Sequence, residues 1–182
     1  DWGFEDKAAV TSIVADSMKK ECYIVKTWSE AKKGIIEICE EVKRQYDELK
    51  TKYNISRTPS IVCDTNEKSA SFELYNTYKL PNVMNAYKYE KNFALEQLAE
   101  WLRVGTIKVV TKDNDAMLED LNNTMWLRDE ETDELKHEID DDCWHPNAAM
   151  ALLYASRMIS YDILGVVTSE AEGRVRRLIE NA

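Results

Sequence analysis

The chain has 182 residues, of which 44% are hydrophobic and 32% charged, an ordinary balance for one compact globular domain. Its formal net charge of −10 argues against a surface that holds nucleic acid by charge alone, because such binding needs Lys and Arg to neutralise phosphates. No uncharged apolar run approaches the length of a membrane span, and the charged N-terminus does not resemble a secretory signal, so we expect a soluble protein inside a cell.

The cysteine pattern does not indicate a zinc site or a disulfide framework. Cys22, Cys39, Cys63 and Cys143 lie far apart, with no C-x-x-C pair and no histidines at zinc spacing. Free cysteine is commonly a small buried hydrophobe. We therefore predict reduced and mostly buried thiols.

The chain opens with a predicted β-hairpin, in which AAVTSIVA and ECYIVKTW are the strands and DSMKK is the polar turn. Beyond Trp28 the apolar residues recur at spacings of three or four as far as Tyr53. This period predicts a long amphipathic helix that ends near Asn54, before the Thr58-Pro59 pair.

The middle of the chain alternates between strand and helix patterns. SIVCD is a short apolar run typical of a buried strand, and it ends on Asp64. A helix around SFELYNTY, the strand NVMNAYK and the helix FALEQLAEWLRV follow, with Gly105 as the C-terminal cap of the last. TIKVV predicts a further strand, AMLEDLNNTM a further helix, and WLRDEETDELKHEI two polar strands around an acidic turn.

The last predicted helix begins at His145-Pro146 and runs to about Ile163, since proline suits the first turn of a helix. The order of elements predicts an α/β domain with a mixed sheet over residues 1–164 and a helical tail over residues 165–182. Ligand sites in such sheets gather at the carboxyl ends of strands, where Asp64 is placed.

Carboxylates at three places along the chain indicate a metal site. Asp1 opens an Asp-Trp-Gly sequence before the hairpin, Asp64 follows a buried run, and Asp140, Asp141 and Asp142 precede the final helix. Hydrolysis of a phosphodiester by two metals needs convergent carboxylates that hold the cations about 4 Å apart. Each acid also has an ordinary alternative: Asp1 in a turn, Asp64 as a helix cap, and the three adjacent acids in a solvated loop.

Three segments together resemble a known family. Asp1-Trp2-Gly3 before a hairpin, IVCD ending on Asp64, and DDDCWHPNAAMALLYASR look like the three acidic motifs of phage terminase large subunit nuclease domains. AYKYEKN and VGTIKVV between them are also similar, so the resemblance spans roughly residues 1–160. It implies an RNase H-like fold, with helices on both faces of the sheet, that cleaves concatemeric double-stranded DNA with two Mg²⁺ or Mn²⁺ ions.

The resemblance also assigns ligands. It implies Asp1 and Asp64 as metal ligands, but Met150 stands where the family commonly has a third Asp in the final helix. A thioether cannot replace a carboxylate for Mg²⁺, so Asp142 is the expected substitute. If the helix starts at Pro146, Met150 shares a stripe with Tyr154 and other residues, and the alternative is a Met that fills a gap beside the sheet.

Two further residues match the family's pattern. His145 would assist proton transfer or contact a phosphate, and Lys88 would meet a phosphate. The alternatives are an exposed histidine near a helix start and a solvated lysine.

The resemblance implies three partners, namely a terminase ATPase domain, a small terminase subunit and a portal protein, acting in the cytoplasm of an infected host cell. It implies no membrane partner. No G-x-x-x-x-G-K-[ST] loop occurs, so we expect the nuclease half alone. One rival is a catalytically impaired RNase H-like module that binds DNA or a packaging partner, which Met150 and the acidic charge favour. A second is a sugar-kinase or actin-like ATPase, but its glycine-rich phosphate loops are missing in a chain with five Gly.

Overall fold

A computed structural model describes residues 7–53, 55, 58–64, 68–129, 132–140 and 144–159. Three of the predicted features, namely Asp1, Asp142 and the tail 165–182, lie outside the described residues. So does Cys143.

The described chain alternates strands and helices after an initial hairpin, as the sequence predicts. The elements in order are β1 (Lys7–Asp16), β2 (Glu21–Ala31), α1 (Ile35–Lys52), β3 (Ile61–Cys63), α2 (Lys68–Asn76), β4 (Val83–Asn85), α3 (Lys91–Arg103), β5 (Ile107–Val109), α4 (Asp115–Asn123), β6 (Trp126–Arg128), β7 (Leu135–Ile139) and α5 (Asn147–Ile159). None of the described helices is long and apolar enough to cross a membrane.

The hairpin of β1 and β2 is antiparallel and continues into a mixed sheet, because β5 pairs in parallel with β2 to give the order β1-β2-β5. The register of the hairpin shifts between Ser12 and Ile13, which marks a β-bulge. β3 and β4 form a separate parallel pair, and β6 and β7 an antiparallel one. Within the described residues the hydrogen-bonded strands thus fall into three groups.

The main core lies between this three-stranded sheet and helices α3, α4 and α5. Its buried residues are Ala9, Cys22, Ile24, Ala94, Leu98, Ile107, Met117, Ala148, Leu152 and Leu153. A second cluster joins α1 and α2 to the β3-β4 pair through Cys39, Tyr46, Cys63, Leu74 and Leu80. Removal of these side chains from water stabilises the fold by about 25 cal/mol for each Å² of apolar surface.

The fold class predicted from sequence, an α/β domain with a mixed sheet and an initial antiparallel hairpin, is confirmed. The bounds differ where the pattern was ambiguous. β4 ends at Asn85 rather than at Lys88, because the pairing with β3 continues only one step further, to the Ala86 N–H, before the chain turns toward α3. The final helix is described as far as Ile159.

Candidate functional site

Asp64 follows the last residue of β3, at the carboxyl end of the parallel β3-β4 pair. The residue is only 7% exposed, although a carboxylate is costly to bury without a partner. The pairing of the two strands continues one step beyond β4, where the Ala86 N–H donates to the carbonyl of Cys63 at 2.7 Å. The segment after β4 is thereby held beside Asp64.

Lys88 supplies the charge that Asp64 needs. Its ammonium pairs with the Oδ1 atom of Asp64 and lies 5.4 Å from the centroid of the Tyr154 ring. The Lys88 side chain is 31% exposed. A pair that is partly removed from water interacts more strongly than a surface ion pair, because the effective dielectric constant is lower.

Tyr154 brings α5 into the same site. Burial raises the pKa of its phenol, the negative charge of Asp64 raises it further, and the positive charge of Arg157 opposes both. The phenol therefore stays protonated at neutral pH and can donate a hydrogen bond. Three elements distant in sequence thus meet at Asp64, Lys88 and Tyr154, which we call the β3-edge site.

An aromatic and cationic rim borders this site. The rings of Tyr87 and Tyr89 are tilted by 53° with centroids 5.3 Å apart, and the Arg157 guanidinium lies 4.8 Å from the centroid of Tyr87. The Nη2 atom of Arg157 also donates to the carbonyl of Tyr89. Lys88 lies between the two tyrosines in sequence, so the rim and the site share one backbone segment.

A buried carboxylate on α4 fixes the start of α5. Oδ2 of Asp120 accepts the N–H groups of Ala148 at 2.7 Å and Ala149 at 3.1 Å, and its Oδ1 accepts Nε1–H of Trp144 at 3.0 Å. The first N–H groups of a helix lack partners within the helix, so Asp120 serves as a cap from a neighbouring element. Burial raises the pKa of Asp120 above its ordinary value, and these hydrogen bonds offset only part of the rise.

Neither Asp120 nor Tyr154 was predicted from the sequence as a site residue, although Tyr154 was placed on the stripe of the final helix that carries Met150. Asp120 lies three residues after the buried Met117, on the apolar face of α4, and an acid at such a position signals a buried partner. Which partner it meets cannot be read from spacing, since 28 residues separate it from Ala148.

The structure places the predicted site residues as follows. It brings Asp64 and Lys88 together, so Lys88 is not a simply solvated lysine. His145 is exposed just before α5, and Met150 packs against the main core from a partly buried position. Within the described part of the chain no group of three or more His, Cys, Asp or Glu side chains could hold a metal ion.

Comparison with solved structures agrees with this fold. The chain is similar to the g2p (large terminase) nuclease domain of bacteriophage SPP1 with bound Mn, with a TM-score of 0.62, 18% identity, and coverage of 87% of this chain and 82% of that one. It is also similar to the large terminase of the thermophilic bacteriophage D6E, with a TM-score of 0.65, 14% identity and 87% of this chain covered. The match spans 38% of the D6E protein.

The two likenesses show a shared fold, that of phage large-terminase nuclease domains. No protein-family model and no curated protein matches the chain.

Proposed function

We propose that this chain is a metal-dependent endonuclease domain of a phage DNA-packaging terminase, cleaving concatemeric double-stranded DNA by phosphodiester hydrolysis. The observation that carries the proposal is the buried carboxylate of Asp64 at the carboxyl end of β3. It stands in a fold shared with a nuclease domain solved with bound Mn.

The metal would be held by Asp64 together with Asp1 and Asp142. Carboxylate oxygens suit Mg²⁺ and Mn²⁺, and Asp64 already lies against a cation, the Lys88 ammonium, so its surroundings accept positive charge. Two such ions would supply activation of a water molecule and stabilisation of the leaving oxygen of the phosphodiester. Met150 leaves the final helix without the family's carboxylate, which is why Asp142 is proposed as the third ligand.

Lys88 would bind the phosphate through its partly exposed ammonium, and a metal at Asp64 would strengthen this contact by releasing the ammonium from its pair. Tyr154 supports this ammonium with its ring face, since a cation over an aromatic ring is attracted to it. The exposed His145 would contact a phosphate or carry a proton.

The proposed partners are double-stranded DNA, a terminase ATPase domain, a small terminase subunit and a portal protein, within the cytoplasm of an infected host cell. The acidic net charge of −10 supports a complex in which other subunits hold the DNA, because a domain of this charge repels DNA overall. The match covers 38% of the D6E large terminase, so that protein is long enough to include further domains.

The test is nicking of supercoiled plasmid by the purified chain in Mn²⁺ and in EDTA. Asp64→Asn should abolish the Mn²⁺-dependent nicking. Asp47→Asn, at an exposed acid on α1, should leave it unchanged. DNA binding without any nicking would instead identify the catalytically impaired module, and equal nicking by Asp64→Asn and the parent would refute the site.

A further inference from the structure

We propose that Tyr89 is a stacking platform for an unpaired DNA base beside the β3-edge site. The proposal rests on the proposed nuclease function and adds to it the form of DNA that this rim recognises. The Tyr89 residue is 74% exposed, yet it belongs to a fixed arrangement of two tyrosine rings and the Arg157 guanidinium.

The rim is built in layers. The Arg157 guanidinium lies 4.8 Å from the ring centroid of the partly buried Tyr87, and Tyr87 contacts Tyr89 at a centroid distance of 5.3 Å. Arg157 also holds the carbonyl of Tyr89. These contacts orient the Tyr89 ring before any ligand arrives, so little side-chain entropy remains to be lost on binding.

The tyrosines of the rim lie on the same backbone segment as Lys88 of the β3-edge site. Along the segment Tyr87-Lys88-Tyr89 the central residue contacts Asp64 and Tyr154, while its two neighbours contact each other. Tyr89 is therefore one residue from a cation that would bind phosphate. A nucleotide with its phosphate at Lys88 would have its base within reach of the exposed ring.

The aromatic and cationic groups of the rim favour an unpaired DNA base as the partner. Every base has a π face, and stacking on an aromatic side chain is tolerant of sequence but requires a base that is not enclosed in a duplex. The cations Lys88 and Arg157, which lie over the rings of Tyr154 and Tyr87, complement the phosphate backbone, in a chain whose overall charge is repulsive to it. The rim thus fits a frayed or single-stranded segment of DNA rather than an intact duplex.

The experiment is fluorescence anisotropy with a labelled single-stranded oligonucleotide and with the matching duplex, in EDTA at low salt. Tyr89→Ala should weaken single-strand binding by about 5- to 150-fold, the range for loss of one stacked base. Tyr89→Trp should restore it, and duplex binding should change less than two-fold in both variants. Tyr75→Ala, at another exposed tyrosine, is the matched control and should bind as the parent does.

Several results would overturn the platform: unchanged single-strand binding in Tyr89→Ala, equal losses for single strand and duplex, or no DNA binding by the parent. Because no metal is present, the measurement is independent of cleavage. A parent that nicks plasmid while Tyr89→Ala binds normally would refute only the platform. If the parent neither nicks plasmid nor binds DNA, the proposed function is refuted as well.

Discussion

The ammonium of Lys88 pairs with the carboxylate of Asp64 across two separate elements, the end of β3 and the segment after β4. Carboxylates that converge on a metal site repel one another when no metal is bound, but the described structure gives Asp64 a cationic partner. The stability of the domain and its metal affinity should both depend on this pair.

Loss of Asp64 should destabilise the fold. A cluster of repelling acids predicts that Asp64→Ala raises thermal stability, but the pair with Lys88 predicts the opposite, because the partly buried ammonium loses its partner. We expect a loss of about 1–3 kcal/mol in the free energy of unfolding, measured by urea denaturation without metal. A higher urea midpoint in Asp64→Ala would show that repulsion dominates at this position.

Removal of the Lys88 charge should strengthen metal binding. The ammonium occupies the Asp64 oxygen that a cation would use, so Mn²⁺ must compete with it. Titration calorimetry should show tighter Mn²⁺ binding in Lys88→Met than in the parent, and no change in Lys91→Met, at an exposed lysine. Weaker binding in Lys88→Met would mean that Lys88 supports the metal site rather than competing with it.

Asp120→Ala should cost about 1–3 kcal/mol of stability, because three N–H groups lose a buried acceptor. The comparison variant is Glu119→Ala on the same helix, whose exposed pair with Lys7 at 3.7 Å contributes little. Urea midpoints measure both. Equal losses in the two variants would contradict the cap. Since Asp120 fixes the start of α5, its loss should also lower plasmid nicking.

Alkaline pH should destabilise the protein through its buried thiols. Burial raises the pKa of Cys22 to about 11 and of Cys39 to about 12, whereas an exposed thiol has a pKa of about 8.5. The folded state therefore keeps protons that the unfolded chain releases, so this stability is present below about pH 8.5 and is lost as the pH rises toward the folded values. Urea midpoints should fall between pH 8 and pH 10, and less so in Cys22→Ala. A midpoint that rises over this range would contradict the assignment.

Which features of the fold and the site could be predicted from the sequence depends on how far apart along the chain the interacting residues lie. The period of α1 and the alternation of the hairpin are local, and both elements form within a few residues of the predicted bounds. The end of SIVCD placed Asp64 correctly for the same reason. Its pairing with Lys88 joins residues 24 positions apart through the parallel β3-β4 pair, and no local pattern contains it.

The start of α5 shows the same limit. Pro146 signals where the helix begins, but the cap comes from α4 rather than from the adjacent sequence. Asp1 and Asp142 are expected to converge on Asp64, and this convergence remains a prediction.

Met150 offers the last test, and helical geometry defines it. Met150 lies four residues before Tyr154, so both lie on one face of α5. Tyr154 is close enough to Asp64 for the carboxylate charge to raise its pKa, while Met150 packs against the main core. Our hypothesis is that Met150 occupies a metal-ligand position one turn nearer the helix start, which leaves the site short of a carboxylate.

Met150→Asp should then bind Mn²⁺ more tightly than the parent in titration calorimetry, and plasmid nicking should rise with it, because a carboxylate is a far better ligand than a thioether for a hard cation. Without metal the variant should be less stable, since a charge replaces a side chain that packs on the core. Met158→Asp, at a position 37% exposed near the end of the same helix, should change neither affinity nor nicking. If Met150→Asp folds but its Mn²⁺ affinity equals that of the parent, position 150 does not face the metal, and the residue is a core side chain only.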